Sequence, residues 1–271
     1  AAGAAFVTPA IAKAPLAGGS AVSVHRMKLG AFEVTTLLDG FIDLNPAVLL
    51  GDPALIKQHL EAAGAYGSPI RTAVNTFLVN TGEKLVLVDC GGARMLGPTA
   101  GRLPQGLAQI GIDPAQIDEV YITHMHGDHL HGAVTPEGAK LFPNAVLRIA
   151  KPDVDHWANA AVEAAAPADQ KGRFAAAKRA VAAYGDRLQT FQLGAELTPG
   201  IRSVAAAGHT PGHSCYLVPS GTARLLLLGD TVGMIEVDTV DADRVGEIMA
   251  PLAEKFEGKA VVADWRSMNA S

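Results

Sequence analysis

The sequence has few cysteines, few aromatic residues and no cluster of basic residues. Its 271 residues include 2 Cys, and aromatic side chains account for 5% of them. Two cysteines without a CxxC pair are too few for a disulfide framework, so Cys90 and Cys215 are interpreted as small core residues. A chain with a formal net charge of -5 and no basic run lacks the surface that nucleic acids require, which excludes them as partners.

Long apolar runs are also missing. No stretch of about 18 uninterrupted apolar residues occurs, so neither a membrane span nor a membrane partner is expected. Residues 1–24 are rich in Ala, Gly and Pro and are expected to be irregular. Because they begin without Met, they could be the remainder of a cleaved signal peptide or a cloning boundary. We expect an exported protein, periplasmic or secreted, with a cytoplasmic location as the alternative.

What the sequence does contain is a mixture of strand-like and helix-like segments. Hydrophobic residues make up 49% of the chain, which is ample for a buried core. The mixture predicts one α/β domain over residues 25–271, with helices outside buried sheets. Hairpins are predicted at 22–39 and at 73–80 with 84–90, helices at 52–63, 104–110, 153–165, 168–184 and 243–257, and further strands at 118–124, 201–206, 214–218, 223–228 and 259–264.

Four potential metal ligands follow one another at the end of an apolar strand. They are His124, His126, Asp128 and His129, in the motif HMHGDH. Imidazole nitrogen and carboxylate oxygen are ligands of zinc and related metals. The two pairs could serve different metals if the chain turns tightly between them, and Gly127 supplies the backbone freedom for such a turn. A histidine cluster of this density indicates a binding site rather than a solvent-exposed loop that contains histidines by chance.

Two further motifs place potential ligands at strand ends. GHTPGH (208–213) follows an apolar strand and carries His209 and His213. LLGD (227–230) ends another apolar run in Asp230. Three separate strand ends that carry ligands indicate a site on one edge of a sandwich of sheets.

In this order, HMHGDH, GHTPGH and LLGD resemble the metal-binding motifs of the metallo-β-lactamase superfamily, and VDCGG (88–92) resembles its VDTG loop. The resemblance covers residues 25–230. It implies an αβ/βα sandwich, in which two packed mixed sheets carry helices on their outer faces. It also implies a hydrolase with two divalent metal ions, zinc or else manganese, iron or cobalt, which share the hydroxide that attacks the substrate.

The resemblance implies a role for each matching residue. Asp128 and Asp230 are expected to take part in catalysis as metal ligands, while Asp89 and His213 are expected to support the ligands without touching the metal. Carried over residue by residue, the first metal would be held by His124, His126 and His209, the second by Asp128 and His129, and both by Asp230.

The sequence departs from the family pattern near its C-terminal end. Family members normally offer one more histidine to the second metal, but this chain has no histidine beyond His213. Asp264, in AVVADW (260–265), stands near the expected position. Three interpretations stay open: Asp264 substitutes as an oxygen ligand, the second site is weak or empty, or residues 231–271, which are atypical of the family, are an altered end.

Within the superfamily, the resemblance is fullest to methyl-parathion-hydrolase-like proteins, through LGAFEVTTLLDG (29–40), VNTGEKLVLVDCGG (79–92) and VYITHMHGDH (120–129). It implies a homodimer that hydrolyses organophosphate triesters, esters or lactones as small-molecule substrates. Trp157 and Leu96 would line the substrate pocket. The alternatives are a β-lactam or thioester hydrolase of the same fold, or a metal-binding descendant with little turnover because the sixth ligand is missing.

Overall fold

The computed structural model describes residues 22–46, 52–62, 64, 67, 69–168, 170–230 and 260–262, the last three by their backbone. The predicted helix at 243–257 and the possible ligand Asp264 lie outside these residues. Within the described part, two β-sheets pack against each other and carry helices on the outside. Both buried cysteines, Cys90 and Cys215, belong to the core, as predicted.

The first sheet has seven strands, which lie side by side in the order of the sequence. The strands are β1 (Val24–Leu29), β2 (Phe32–Leu44), β3 (Ile70–Asn80), β4 (Leu85–Val88), β5 (Glu119–Tyr121), β6 (Val146–Ala150) and β7 (Leu188–Phe191). Neighbours from β1 to β4 run antiparallel, and those from β4 to β7 run parallel. The parallel half therefore points the carboxyl ends of its strands to one edge, which is where open sheets place their sites.

The second sheet has five strands in its described part. The strands are β8 (Glu196–Thr198), β9 (Ile201–Ala205), β10 (Ser214–Ser220), β11 (Ala223–Leu227) and β12 (Ala260–Val262). They lie in the order β12-β11-β10-β9-β8, and only the β11–β12 pair among them is parallel. Both sheets are thus mixed, as the sequence predicted.

Apolar side chains fill the space between the sheets. Val79 and Tyr121 of the first sheet share one core cluster with Tyr216 and Leu225 of the second, and all four are buried. Burying a side chain of this size contributes about 1.5–3 kcal/mol, so this layer holds the sandwich together. A separate cluster on the other face of the first sheet packs against the helices. The predicted αβ/βα sandwich is confirmed.

Six helices lie in the described part of the chain. They are α1 (Pro53–Ala62), α2 (Leu103–Gln109), α3 (Gly127–Leu130), α4 (Lys151–Trp157), α5 (Ala160–Ala165) and α6 (Lys171–Tyr184). The prediction of one helix over 153–165 is wrong, because the side chain of Asn159 accepts a hydrogen bond from Ala161 N at 2.9 Å and begins a new helix. None of the described helices is long and apolar enough to cross a membrane.

Glu119 on β5 is a buried carboxylate. Its side chain accepts hydrogen bonds from the hydroxyl groups of Tyr121, at 2.9 Å, and Thr198, at 3.0 Å. The Arg148 guanidinium donates at 2.5 Å, and the Lys84 ammonium also donates. Thr198 belongs to the second sheet, so the carboxylate joins both layers. Burial alone would raise the pKa of Glu119, but these partners hold it below its ordinary value.

Replacing Glu119 with glutamine should lower the free energy of unfolding at pH 7 by about 1–3 kcal/mol, because two cations lose a charged partner. The pKa of Glu119 is lower in the folded protein than in the unfolded chain. Its carboxylate therefore stabilises the folded state fully above the unfolded pKa, and this stabilisation is lost as the pH falls through the folded pKa. The gap between wild type and variant should therefore shrink in acid, as urea titrations at several pH values would measure. Glu33→Gln, at an exposed pair with Arg26, is the control. An equal gap at every pH would contradict the prediction.

Candidate metal centre

Three strand ends bring the predicted ligands together. The loop after β5 carries His124 and His126, the loop after β9 carries His209, and Asp230 follows β11. His209 and Asp230 approach within 3.4 Å, measured from Nε2 to Oδ2. The first sheet and the second sheet therefore each contribute ligands, and the site lies where their edges meet.

The first ligand group consists of three histidines. The Nε2 atom of His124 lies 3.0 Å from Nδ1 of His126, and Nε2 of His209 lies 3.0 Å from the same Nδ1. Nitrogens at 2.0–2.1 Å from a tetrahedral zinc ion are about 3.3 Å apart, so this spacing fits one shared cation. All three nitrogen atoms form one of the two possible metal groups in the described residues.

The second group forms around His129, which belongs to the one-turn helix α3. Its Nε2 atom lies 3.2 Å from Oδ1 of Asp230 and 3.4 Å from Oδ2 of Asp128. His124, His129 and Asp230 can together hold an ion. The other oxygen of Asp230, Oδ2, faces His209 and His124. The carboxylate thus presents one oxygen to each group, which is the geometry of a bridging ligand.

Gly127 lies against the His131 ring, a contact that the sequence did not suggest. A Cβ atom at this position would lie 2.8 Å from the His131 ring. The backbone of Gly127 does not adopt a positive φ angle. The glycine therefore leaves room for the His131 ring, which would have to move for a larger residue, and it does not supply a left-handed backbone conformation.

The environment prepares the ligands electrostatically. Burial, followed by the neighbouring histidines, holds the pKa of His124 well below its ordinary value, and burial with His209 lowers the pKa of His126 to about 4. Both rings are therefore neutral at pH 7 and keep a lone pair for a metal. Burial would lower the pKa of His129, but Asp128 and Asp230 raise it well above its ordinary value. Two carboxylates thus face His129, which suits a cation between them.

Asp89 orients His129 directly and His124 through Thr123. One of its oxygens, Oδ2, accepts hydrogen bonds from Nδ1 of His129 at 2.8 Å and from the Thr123 hydroxyl at 2.9 Å. The Thr123 oxygen lies 3.2 Å from Nδ1 of His124 and can accept its proton. Both histidines then carry hydrogen on Nδ1 and direct Nε2 at the site, where this atom can bind a metal ion in place of a proton. Asp89 therefore contacts the candidate ligands, directly or through Thr123, and its support of a bound metal stays a prediction.

Replacing Asp89 with asparagine should weaken binding at the second metal site by about 10–100-fold. The amide can donate to Nδ1 of His129, which moves the ring proton to Nε2 and blocks the lone pair. Titration of apo protein with zinc against a competing chelator would measure the change. Asp186→Asn, at an exposed aspartate after α6, is the control. An unchanged second binding step would contradict this role for the carboxylate.

His213 is fully buried beside the ligands. Its Nε2 atom accepts a hydrogen bond from the backbone N–H of Asp230 at 3.0 Å. Burial lowers the pKa of His213 to about 4, so the ring is neutral and can accept this bond at pH 7. The imidazole therefore fixes the backbone of Asp230, and it belongs to neither ligand group of the described residues.

The two predicted pocket residues lie in different surroundings. Trp157, at the end of α4, is 5% exposed, and its ring packs between those of His126, at 5.4 Å, and Phe174, at 4.9 Å. Its indole therefore packs against His126, a candidate metal ligand. Leu96 is half-buried and lies against Gly92, where an added Cβ would come within 2.4 Å of it. A substrate contact of either side chain stays a prediction.

Two buried carboxylates near the site were missed by the sequence analysis. Asp39 on β2 is fully buried and accepts hydrogen bonds from the backbone N–H groups of Gly92, Gly101 and Leu103, at 3.0, 3.0 and 2.9 Å. It thereby shapes the loop that follows β4. Asp153 on α4 is also fully buried. The signal available for Asp39 was a carboxylate inside the apolar run LLDGFI (37–42).

Taken together, a sheet sandwich with histidine and aspartate ligands at one edge defines a metal-dependent hydrolase. The sequence model of the metallo-beta-lactamase superfamily matches residues 69–261, more than half of the chain. The protein belongs to this superfamily.

Solved structures support the same assignment. The chain is 29% identical to the hydrolase AbOPH of the beta lactamase superfamily, covering 79% of this chain and 76% of that one, with a TM-score of 0.72. It is 26% identical to AidC, a dizinc quorum-quenching lactonase, covering 89% and 90%, with a TM-score of 0.73. A quorum-quenching N-acyl homoserine lactone hydrolase at 16% identity and a TM-score of 0.59, covering 91% and 97%, shares the fold. No curated protein matches the sequence significantly.

Proposed function

We propose that this protein hydrolyses uncharged esters with two zinc ions, with lactones as the first substrate class and organophosphate triesters as the second. The observation that carries the proposal is the convergence of the two ligand groups, which share His124. Imidazole nitrogens with a bridging carboxylate favour zinc. The similarity to AidC supports lactones, and the sequence resemblance to methyl-parathion-hydrolase-like proteins supports triesters.

When bound, the cations supply a Lewis acid for the carbonyl or phosphoryl oxygen and a water that ionises near neutral pH. The chain's own residues prepare the place for this chemistry. The neutral rings of His124 and His126 offer lone pairs, and Asp230 presents one oxygen to each ligand group. Asp128 keeps a carboxylate oxygen 3.4 Å from Nε2 of His129, where it can accept a hydrogen bond from an attacking water.

A covalent mechanism through Cys90 does not fit the geometry. The side chain follows Asp89 directly in sequence but is fully buried in the apolar core. Burial, with the charges of Asp89 and Asp39, raises the pKa of the Cys90 thiol well above its ordinary value. A buried, protonated thiol is a poor nucleophile, which favours direct attack by water.

We also infer that the two metals bind with different affinity. The first group consists of three histidines, whereas the second consists of the shared His124, His129 and the carboxylate of Asp230. Calorimetric titration of the apo protein with zinc should therefore resolve a tight step and a weaker one. A single step with two equal sites would contradict this inference.

The proposed activity is tested with zinc-loaded protein and four substrates: an N-acyl homoserine lactone, an aryl acetate, a dialkyl aryl phosphate triester and a β-lactam. We expect the highest kcat/KM for the lactone, and loss of turnover after chelation that zinc restores. Fastest turnover of the β-lactam would favour that alternative. No turnover of any substrate at full metal loading would overturn the proposal and favour the non-catalytic descendant.

A further inference from the structure

Asp153 connects the two loops that carry the first metal site. It lies in the first turn of α4 and is fully buried. Its Oδ2 atom accepts a hydrogen bond from the backbone N–H of Met125 at 2.8 Å, and its Oδ1 atom accepts one from Gly212 at 2.6 Å. Met125 stands between His124 and His126, and Gly212 directly precedes His213 in the loop of His209. One carboxylate therefore holds both loops at once.

Asp153 and the loop of His209 are in contact at Gly212, where there is no space for a side chain. A Cβ atom on Gly212 would lie 2.5 Å from the backbone nitrogen of Asp153 and 2.9 Å from its Cβ atom. Any other residue would force this loop away from the start of α4. Gly212 and Asp153 therefore pack so closely that only a glycine fits at this position.

We propose that Asp153 is a positioning residue, which sets the distance between the His124–His126 loop and the His209 loop so that the three nitrogens can share one cation. The inference rests on the proposed metal-dependent function. Nδ1 of His126 lies 3.0 Å from Nε2 of His124 and 3.0 Å from Nε2 of His209, although the rings come from two different loops. A frame that keeps the loops at this spacing prepares the site for a metal ion, because preorganised ligands raise metal affinity.

A purely structural role would have a different signature. A carboxylate in the first turn of a helix stabilises that helix, and its loss would lower the melting temperature without changing the affinity for zinc. A positioning role changes the metal affinity of the folded protein. The two roles are therefore separated by measuring both quantities on the same variants.

The test compares wild type with Asp153→Asn, whose amide cannot accept from both backbone N–H groups. We expect zinc binding at the tight site to weaken by about 10–100-fold, measured by competition with a chelator, and the absorption spectrum of the cobalt-loaded protein to change. The matched control is Asp155→Asn on the same helix, an exposed carboxylate paired with Lys151. Zinc affinity equal to wild type in Asp153→Asn, with only a lower melting temperature, would overturn the proposal.

Gly212→Ala provides a second route that leaves the carboxylate unchanged, and it decides the matter if Asp153→Asn does not fold. It should weaken zinc binding in the same way, and the double variant should lose less than the sum of the two single effects, because both disturb one contact. Additive losses would count against the proposal. A wild type that binds no zinc would overturn the proposed function itself, whereas a zinc-loaded, active wild type with unaffected variants overturns only the role of Asp153.

Discussion

Replacing His124 with alanine should remove metal from both sites and reduce kcat/KM for the best substrate by more than about 100-fold. His124 belongs to both ligand groups, so its loss affects each of them. Changes that only disturb the support of a ligand cost about 10–100-fold, and removal of the ligand itself should exceed that range. Elemental analysis after gel filtration, together with steady-state kinetics, would measure both effects.

His25→Ala is the matched control, because this histidine lies exposed on β1 and contacts no ligand. It should keep full metal content and full turnover. The melting temperature of the apo variant at His124 should be compared with that of the apo wild type, which separates loss of metal from loss of fold. Full metal content with normal turnover in the His124 variant would contradict the assignment of this ligand.

Replacing Asp39 with alanine should lower the free energy of unfolding by about 3 kcal/mol or more. Three backbone N–H groups, two buried and one partly buried, would lose their acceptor, and a buried N–H group costs about 1–3 kcal/mol when it is left unsatisfied. Stabilities of whole domains are about 5–15 kcal/mol, so this single change would remove a large part of the total. Urea denaturation of the apo protein at neutral pH would measure it.

Asp43→Ala is the control for this prediction, since Asp43 lies on the same strand, is exposed and pairs with Arg71. It should unfold at nearly the urea concentration of wild type, because exposed ion pairs contribute little. Equal urea midpoints for the two variants would show that the hydrogen bonds of Asp39 do not stabilise the fold.

The side chains that converge at the candidate metal centre could be predicted from the sequence because their chemistry and their position coincide. His124, His209 and Asp230 each follow an apolar run, and a polar ligand after a buried strand marks the edge of a sheet. Asp39 and Asp153 could not be found in the same way. Their partners are backbone N–H groups, which leave no side-chain pattern in a sequence.

The errors in the fold have similar physical causes. The helix predicted over 153–165 continues through an Ala-rich stretch, and only the capping side chain of Asn159 divides it. Strand β8 has three residues, too few to show an alternating pattern. Gly127 illustrates a third limit, because the space that it leaves for the His131 ring depends on a contact visible only in three dimensions.

The division of the ligands between the two sheets has a consequence for the protein as a whole. His124 and His129 are attached to one layer, and His209 and Asp230 to the other. A cation held by both acts as a non-covalent cross-link that favours the closed sandwich over the unfolded chain. At a free zinc concentration 100 times the dissociation constant, such linkage is worth about 2.7 kcal/mol. The stability of the folded protein would then rise and fall with the concentration of free zinc around it.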